Sequence, residues 1–328
     1  ARLRRLLNMQ ALEPGTRSPM RLADGRIGYP LSGRPGSPVS EATLLDKLRL
    51  LELTDAHPEE TLQTLYGAGL SRAQIDRRLD LLLEESRVLR QSLIQRTSAI
   101  DPELEWLQQN SRQRIEAALW RHWRSRILPE RGQAVEPLRL DAVHLGDFPD
   151  YLPANFCEGV QRLELCNVVP LSGLEMAADG ATIRRGGWDR VLRQFPALTS
   201  LEIRGGNWPW SSLPFIAESA PLLQELRLVN LHMRIARVQI DSLARLRQLR
   251  RLDLSGNRLD EMEINGLQGL RLDFLGLEGC NLQRWPLWLD STAISRIGEV
   301  SLAGNHLTQL PAEAFSNAAT RTQPIRLN

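Results

Sequence analysis

The segment Leu249 to Leu259, LRRLDLSGNRL, constrains this chain more than any other. Its apolar residues fall at Leu249, Leu252, Leu254 and Leu259, with Asn257 between the last two. Leu252 and Leu254 alternate as on a short strand, so both side chains leave by the same face. Asn257 is a turn residue whose amide can bond the backbone groups that a buried turn leaves bare. One such unit has an apolar face and no second layer to cover it, so it must recur for the chain to fold.

It does recur. The same slots are held by Val135, Leu138, Leu140, Val143 and Leu145; by Val160, Leu163, Leu165 and Val168; by Leu198, Leu201, Ile203, Gly206 and Trp208; and by Leu223, Leu226, Leu228, Leu231 and Met233. After the opening segment come Leu272, Leu275, Leu277, Cys280 and Leu282, then Ile297, Val300, Leu302, Asn305 and Leu307, and an eighth unit begins at Ile325 and Leu327. The first core positions, 138, 163, 201, 226, 252, 275, 300 and 325, are separated by 25, 38, 25, 26, 23, 25 and 25 residues. The spacing and the Leu-x-x-Leu-x-Leu-x-x-Asn/Cys-x-Leu pattern resemble leucine-rich repeats, which imply a solenoid of parallel strands. The step of 38 places an insertion at about 169–187.

At 328 residues the chain exceeds the roughly 250–300 at which one core stops growing, so several domains or a one-dimensional stack are expected. No run approaches the ~18 apolar residues of a membrane span. The chain opens on Ala1 without a signal peptide and stops inside its eighth repeat, the expectation being a fragment. Residues 1–134 carry 21 basic and 17 acidic groups against 20 and 22 in the remainder, so neither half is a polybasic, nucleic-acid-type surface. Lys47 is the one lysine among the 41 basic residues, as arginine-biased codon usage in a GC-rich bacterial genome would give.

Three cysteines, Cys157, Cys166 and Cys280, have no paired spacing, which argues against a disulfide framework or zinc ribbon. Cys280 fills the asparagine slot of its repeat, a structural position, while Cys166 is expected to project onto the open face and is the thiol worth testing for reactivity. No P-loop, G-x-G-x-x-G after a strand, H-E-x-x-H or G-x-S-x-G motif is present, so neither catalytic residues, metal ligands nor cofactors are expected.

Before the repeats, residues 1–39 form an irregular basic arm dense in proline and glycine, with one short hairpin around Gly25 to Pro30. Residues 40–134 read as a helical bundle. Ser40 caps a helix with stripe Leu44, Leu45, Leu48 and Leu51, Pro58 opens a second, and Ser71-Arg72-Ala73-Gln74 is a capping box for a third with Ile75, Leu79, Leu82, Leu83 and Leu89 inward. Asp101-Pro102-Glu103 opens a fourth, reaching about Ile127 with Leu104, Leu107, Ile115, Leu119, Trp120 and Trp123 along one side. Helix, Gly67-Ala68-Gly69 turn and capped helix also outline a helix-turn-helix DNA reader with Arg72, Arg77 and Arg78 exposed, although Asp76 and Asp80 interleave with them. Trp120 and Trp123 are expected to pack on the first strand and close the repeat stack, with His122 structural.

On the repeats, residues 135–328, alternation places Arg139, Glu164, Glu202, Arg227, Asp253, Gly276 and Ser301 in one column of the concave face. Asp141, Cys166, Arg204, Val229, Ser255, Glu278 and Ala303 form a second. Arg139, Glu164, Glu202, Arg204, Glu225, Arg227, Arg251, Asp253 and Glu278 are the candidate contacts to a protein partner; Asn257, Cys280 and Asn305 are the structural ladder. The insertion, with Pro170, Gly173 and Arg184-Arg185-Gly186-Gly187, is a candidate binding loop, and Trp208, Trp210, Trp285 and Trp288 read mainly as core of wider coils.

The repeats Leu252 to Leu259 and Leu302 to Pro311 also resemble those of large secreted bacterial proteins, especially pseudomonad-type toxins. There a dermonecrotic-toxin-like region and a helical segment precede the repeats and a novel-E3-ligase (NEL) domain can follow. That resemblance implies secretion into a host cell, repeats that select a host protein as ubiquitination substrate, and a catalytic cysteine in a Cys-x-Asp motif. Here Gly159, Val168 and Leu282 stand two residues after the cysteines, so no catalytic residue carries over, and Leu310-Pro311 is the one Leu-Pro pair of the ligase-type repeat. The expectation is an α/β chain, a helical bundle followed by a leucine-rich-repeat solenoid of about eight repeats, that recognises protein and is not itself an enzyme. A free-standing adaptor or scaffold and a DNA-binding regulator are the alternatives.

Overall fold

The structure, a computed structural model, describes residues 20–21, 27–28, 39–51, 57–95, 105–127, 135–168, 188–206, 213–232, 234–235, 241–259, 267, 269–286, 288–312 and 324–327. The insertion 169–187, the Trp208-Pro209-Trp210 turn and most of the 1–39 arm lie outside these. Within the arm, β1 (Met20–Arg21) and β2 (Ile27–Gly28) pair antiparallel. Packing divides the chain into two units, Ala1–Ser86 and Arg87–Asn328.

The first unit is built on α1 (Glu41–Leu50), α2 (Pro58–Gly67) and the start of α3 (Arg72–Ile94). Ser40 Oγ accepts the Thr43 N–H at 3.1 Å, satisfying one of the donors that a helix start leaves bare. Pro58 opens α2 where no N–H is needed, and Gly69 turns the chain with φ +80°. Ser71 N–H donates to Gln74 Oε1 at 2.9 Å while Gln74 N–H donates to Ser71 Oγ at 3.4 Å, a reciprocal capping box. Leu44, Leu48, Leu51, Leu62, Leu65, Ile75 and Leu79 are buried; Leu45, Leu82 and Leu83 are only half so. Lys47 Nζ reaches Asp76 at 2.6 Å and also pairs with Asp80. Burial works against that charge, but the two carboxylates outweigh it and raise the lysine pKa. The acidic residues interleaved with Arg77 and Arg78 are therefore engaged by Lys47, and Arg72 reaches Glu41 at 3.5 Å.

The second unit holds α4 (Glu105–Ile127) and the repeats. Leu107, expected on the inward stripe, is exposed. The buried face begins one turn later and runs through Ser111, Ile115, Leu119, His122, Trp123 and Ile127. Ser111 Oγ accepts the His144 N–H at 2.8 Å, Arg112 Nε donates to the buried Asp147 at 3.2 Å, and Arg114 donates to the Ala142 carbonyl at 3.3 Å. Further along, His122 Nδ1 lies 2.9 Å from the Glu136 carbonyl. An acceptor there requires the proton on Nδ1. Trp120 is half-buried and stands edge-on to Trp123, ring centroids 5.3 Å apart.

The repeats form one parallel sheet of eight strands: β3 (Leu138–Asp141), β4 (Arg162–Cys166), β5 (Ser200–Arg204), β6 (Glu225–Val229), β8 (Arg251–Asp253), β10 (Phe274–Gly276), β11 (Glu299–Ser301) and β12 (Ile325–Arg326). Strand neighbours follow chain order, except that β7 (Arg234–Ile235) and β9 (Arg258–Leu259) pair with each other separately. Leu138, Leu163, Leu201, Leu226, Leu252, Leu275, Val300 and Ile325 stand side by side in register. The first seven of these are at most 1% exposed. Short helices α5 (Ala154–Gly159), α6 (Trp188–Leu192), α7 (Leu213–Ser219) and α8 (Ser291–Ile294) lie on the connections between strands.

The first seven strands of the sheet are ended by a device the periodicity alone did not reveal. The residue four beyond the first core position is left-handed in seven repeats: Ala142, Asn167, Gly205, Asn230, Gly256, Gly279 and Gly304, with φ from 49° to 72°. Glycine and asparagine tolerate this region, whereas alanine is strained there. At Gly256 there is also no room, since an added Cβ would lie 1.8 Å from Asn230 Oδ1.

Behind the turn, Asn257 Nδ2 donates to the carbonyls of Leu254 (2.9 Å) and, one repeat back, Leu228 (2.6 Å). Asn305 repeats this with Leu302 and Leu277, both at 2.7 Å, and its Oδ1 accepts the Leu282 N–H at 3.1 Å. Cys280, in the equivalent slot, offers a weaker thiol donor to Leu254 O at 3.4 Å. Burial pushes its thiol up to about 11, against the bonds from the Asn257 and Gly256 backbone. Trp285 and Trp288 are buried, and Trp285 Nε1 donates to the Leu289 carbonyl at 2.7 Å.

Candidate protein-interaction face

Because alternate strand residues face opposite ways, whatever flanks the core positions shares the outer face of the sheet. Register sets three columns there. The first is Arg162, Ser200, Glu225, Arg251, Phe274 and Glu299, and the second is Arg139, Glu164, Glu202, Arg227, Asp253, Gly276, Ser301 and Arg326. The third opens with Asp141, Cys166, Arg204 and Val229. The expected Arg139 column assembles as the alternation implies, and the expected Asp141 column does so as far as Val229. Of the first, only Glu225 and Arg251 are among the contacts expected from the sequence. The signal for the rest was available, since the residue before a core leucine shares a face with the residue after it.

Charge on this face is paired crosswise. Glu202 is the hub: Arg204 Nε contacts its Oε1, and Arg227 Nη1 donates to Oε2 at 3.0 Å. Arg227 Nε lies 3.7 Å from Asp253, whose Oδ1 accepts the Ser255 N–H at 3.1 Å. One column over, Glu225 accepts from Ser200 Oγ at 3.2 Å and sits 3.7 Å from Arg251, whose guanidinium lies 4.9 Å from the Phe274 ring centre. Glu278 accepts from Ser301 Oγ at 2.5 Å, and Glu299 meets Arg326 at 2.6 Å. Among the described residues no ion pair joins Arg139 to Glu164, although they are register partners. Arg162 donates to the Val135 carbonyl at 2.5 Å.

The two ends of the face differ. From β3 to β8 long charged side chains stand on the sheet. Toward β11 the second column turns small: a Cβ on Gly276 would fall 2.5 Å from Asp253 Oδ1 and 3.0 Å from Phe274 Cε1, so those side chains already fill its place, and Ser301 is buried.

Cys166 is not the accessible thiol expected of it. It is 8% exposed, and burial raises its pKa, with Arg139 opposing and Asp141 and Glu164 adding to the rise. Alternation places it in the outer column with Asp141 and Arg204, yet it is buried there. A buried, protonated thiol is a poor nucleophile. Cys157 is buried as well. Among the described residues no group of histidine, cysteine and carboxylate side chains could hold a metal ion, and no helix is long and apolar enough to cross a membrane.

Residues 248–270, which contain β8, the Gly256 turn and the Asn257 amide, match the leucine-rich repeat family. The chain thus carries a leucine-rich repeat at the centre of its parallel sheet, and such repeats point to protein–protein interaction. No curated protein matches the chain.

Proposed function

We propose that the chain is a protein-recognition module, a leucine-rich-repeat solenoid closed at one end by α4, whose outer sheet face docks a protein partner. The observation that carries this reading is the registered set of columns over eight parallel strands. A rigid platform of fixed spacing, about 4.8 Å per strand, suits a folded partner better than a flexible one. The columns mix arginines with carboxylates in near balance, which favours a partner of patterned charge over a uniformly anionic nucleic acid.

The resemblance to repeats of secreted bacterial proteins makes a host protein the expected partner and the host cytoplasm the expected setting. In that reading the chain selects a target without transforming it. Buried Cys166 and Cys280, both held protonated, support a non-enzymatic role for these residues. Ubiquitin transfer, if the partner is a ligase substrate, belongs to a separate Cys-x-Asp domain.

A photo-activatable aromatic residue placed at Val229, on the face, tests this against the same residue placed at Leu222, exposed before β6. Illumination in host-cell extract is expected to yield a discrete cross-linked protein from position 229 and none from 222. Equal labelling from both positions, or none from 229, contradicts the proposal.

A further inference from the structure

We propose that the edge of the sheet from which β8 and β10 start carries a second site, an anion-binding cleft for a phosphoryl group. The cleft holds about 400 Å3, and among the described residues its lining is Ala244, Arg247, Arg250, Gly269, Leu270 and Arg271. Three of these six residues are arginines, and all three are exposed.

Among the described residues these three arginines have no counter-charge, and the concavity gathers them in one place. Three nearby arginines are matched to carboxylates: Arg245 to Glu218 at 3.7 Å, Arg251 to Glu225 at 3.7 Å, Arg227 to Glu202 at 3.0 Å. Arg247, Arg250 and Arg271 have no ion pair or side-chain hydrogen bond to any described residue. At the ladder position of Arg250 the other described residues are Glu136, Gln161, Thr199, Gln224, Asp273 and Gly298, so among them positive charge is specific to this point of the edge. Asp273, one strand over, is not part of the cleft lining.

The backbone beneath is fixed. The Arg250 carbonyl accepts the N–H groups of Asp273 (2.6 Å) and Phe274 (3.2 Å), and Leu270 N–H donates to Leu267 O at 3.1 Å. The apolar neighbours Leu249, Leu270 and Leu272 are buried, which anchors the roots of the arginines and leaves their guanidiniums free. Like charges gathered in a concavity focus the field on an incoming anion. Guanidinium forks match phosphoryl oxygens in pairs. A phosphoryl group, with three acceptor oxygens and close to two charges, answers three guanidiniums better than a carboxylate with two oxygens and one charge.

That group can arrive on a soluble phosphate compound or on a phosphorylated side chain, and titration calorimetry of the full chain at low salt separates the two. The probes are pyrophosphate, a phosphoserine peptide and its unphosphorylated form; the variants are Arg250→Gln/Arg271→Gln and, as control, Arg245→Gln. Saturable one-to-one binding of a phosphorylated probe, weakened at least tenfold in the double variant and unchanged in the control, is the expected result. Pyrophosphate alone saturating assigns a soluble ligand; at least tenfold tighter binding of the phosphopeptide assigns a protein-borne one. Should the double variant fold poorly, Arg247→Gln takes its place. No saturation with either phosphorylated probe, or affinity untouched by the cleft variants, overturns the inference. The face columns are not involved, so this result is independent of the docking reading above.

Discussion

The two faces of the same strands obey different rules. On the inner face the first core position is leucine in six of eight strands, with Val300 and Ile325 the others. On the outer face the adjacent column runs through arginine, glutamate, aspartate, glycine and serine without a repeat of its own. Burial explains the uniformity, because a dense interior accepts little change in volume. Water explains the variety, since exposed ion pairs contribute only about 0–1 kcal/mol and place little demand on identity. What the chain folds with and what it can bind with are therefore separable by substitution.

Leu252→Ala should break the inner face most severely. Leu252 is fully buried between Leu226 and Leu275, so the cavity is expected to lower unfolding free energy by about 3–5 kcal/mol in a denaturant titration. The same substitution at half-exposed Val229 should cost well under about 1 kcal/mol.

The covered end at β3 adds a pH dependence of its own. Burial, reinforced by Arg126 and opposed by the Glu136 carbonyl bond, lowers the His122 pKa to about 4. An unfolded histidine titrates near 6.5, so between about 6.5 and 4 the unfolded chain binds more protons and stability falls as pH is lowered. The loss is up to about 3 kcal/mol across that window and is complete near the lower value. His122→Gln, which retains a side-chain donor for Glu136, is expected to flatten this part of the curve in melts taken from pH 7 to 4.

A smaller effect sharpens the comparison at the turns between the faces. Ala142 is the one alanine among seven left-handed turn residues, with φ 49°. Ala142→Gly should relieve that strain and stabilise by about 1 kcal/mol or less, whereas Gly256→Ala, facing Asn230 Oδ1, should destabilise. Parallel thermal melts read both signs.

The inner ladder was legible because a repeat of about two dozen residues leaves its leucines at one register position. The outer columns followed from alternation alone. Pairings on them did not, because Glu202 can reach arginines both on its own strand and on the next, and spacing cannot rank Arg204 against Arg227. The left-handed turn escaped notice because alanine, asparagine and glycine share the slot, so the common property is a dihedral angle and not a side chain. Leu107 was misplaced for a different reason: helical periodicity marks a stripe without saying at which turn its burial begins. The cleft at Arg250 and Arg271 was hidden by a stretch in which arginines are too frequent for any three to stand out.

The most direct measurement is on a variant carrying Glu202→Arg and Arg227→Glu together, read for unfolding free energy and for capture of the protein partner cross-linked through position 229. The account predicts a change in stability of no more than about 1 kcal/mol together with at least a tenfold loss of capture. Capture at wild-type strength by a folded double variant would contradict it.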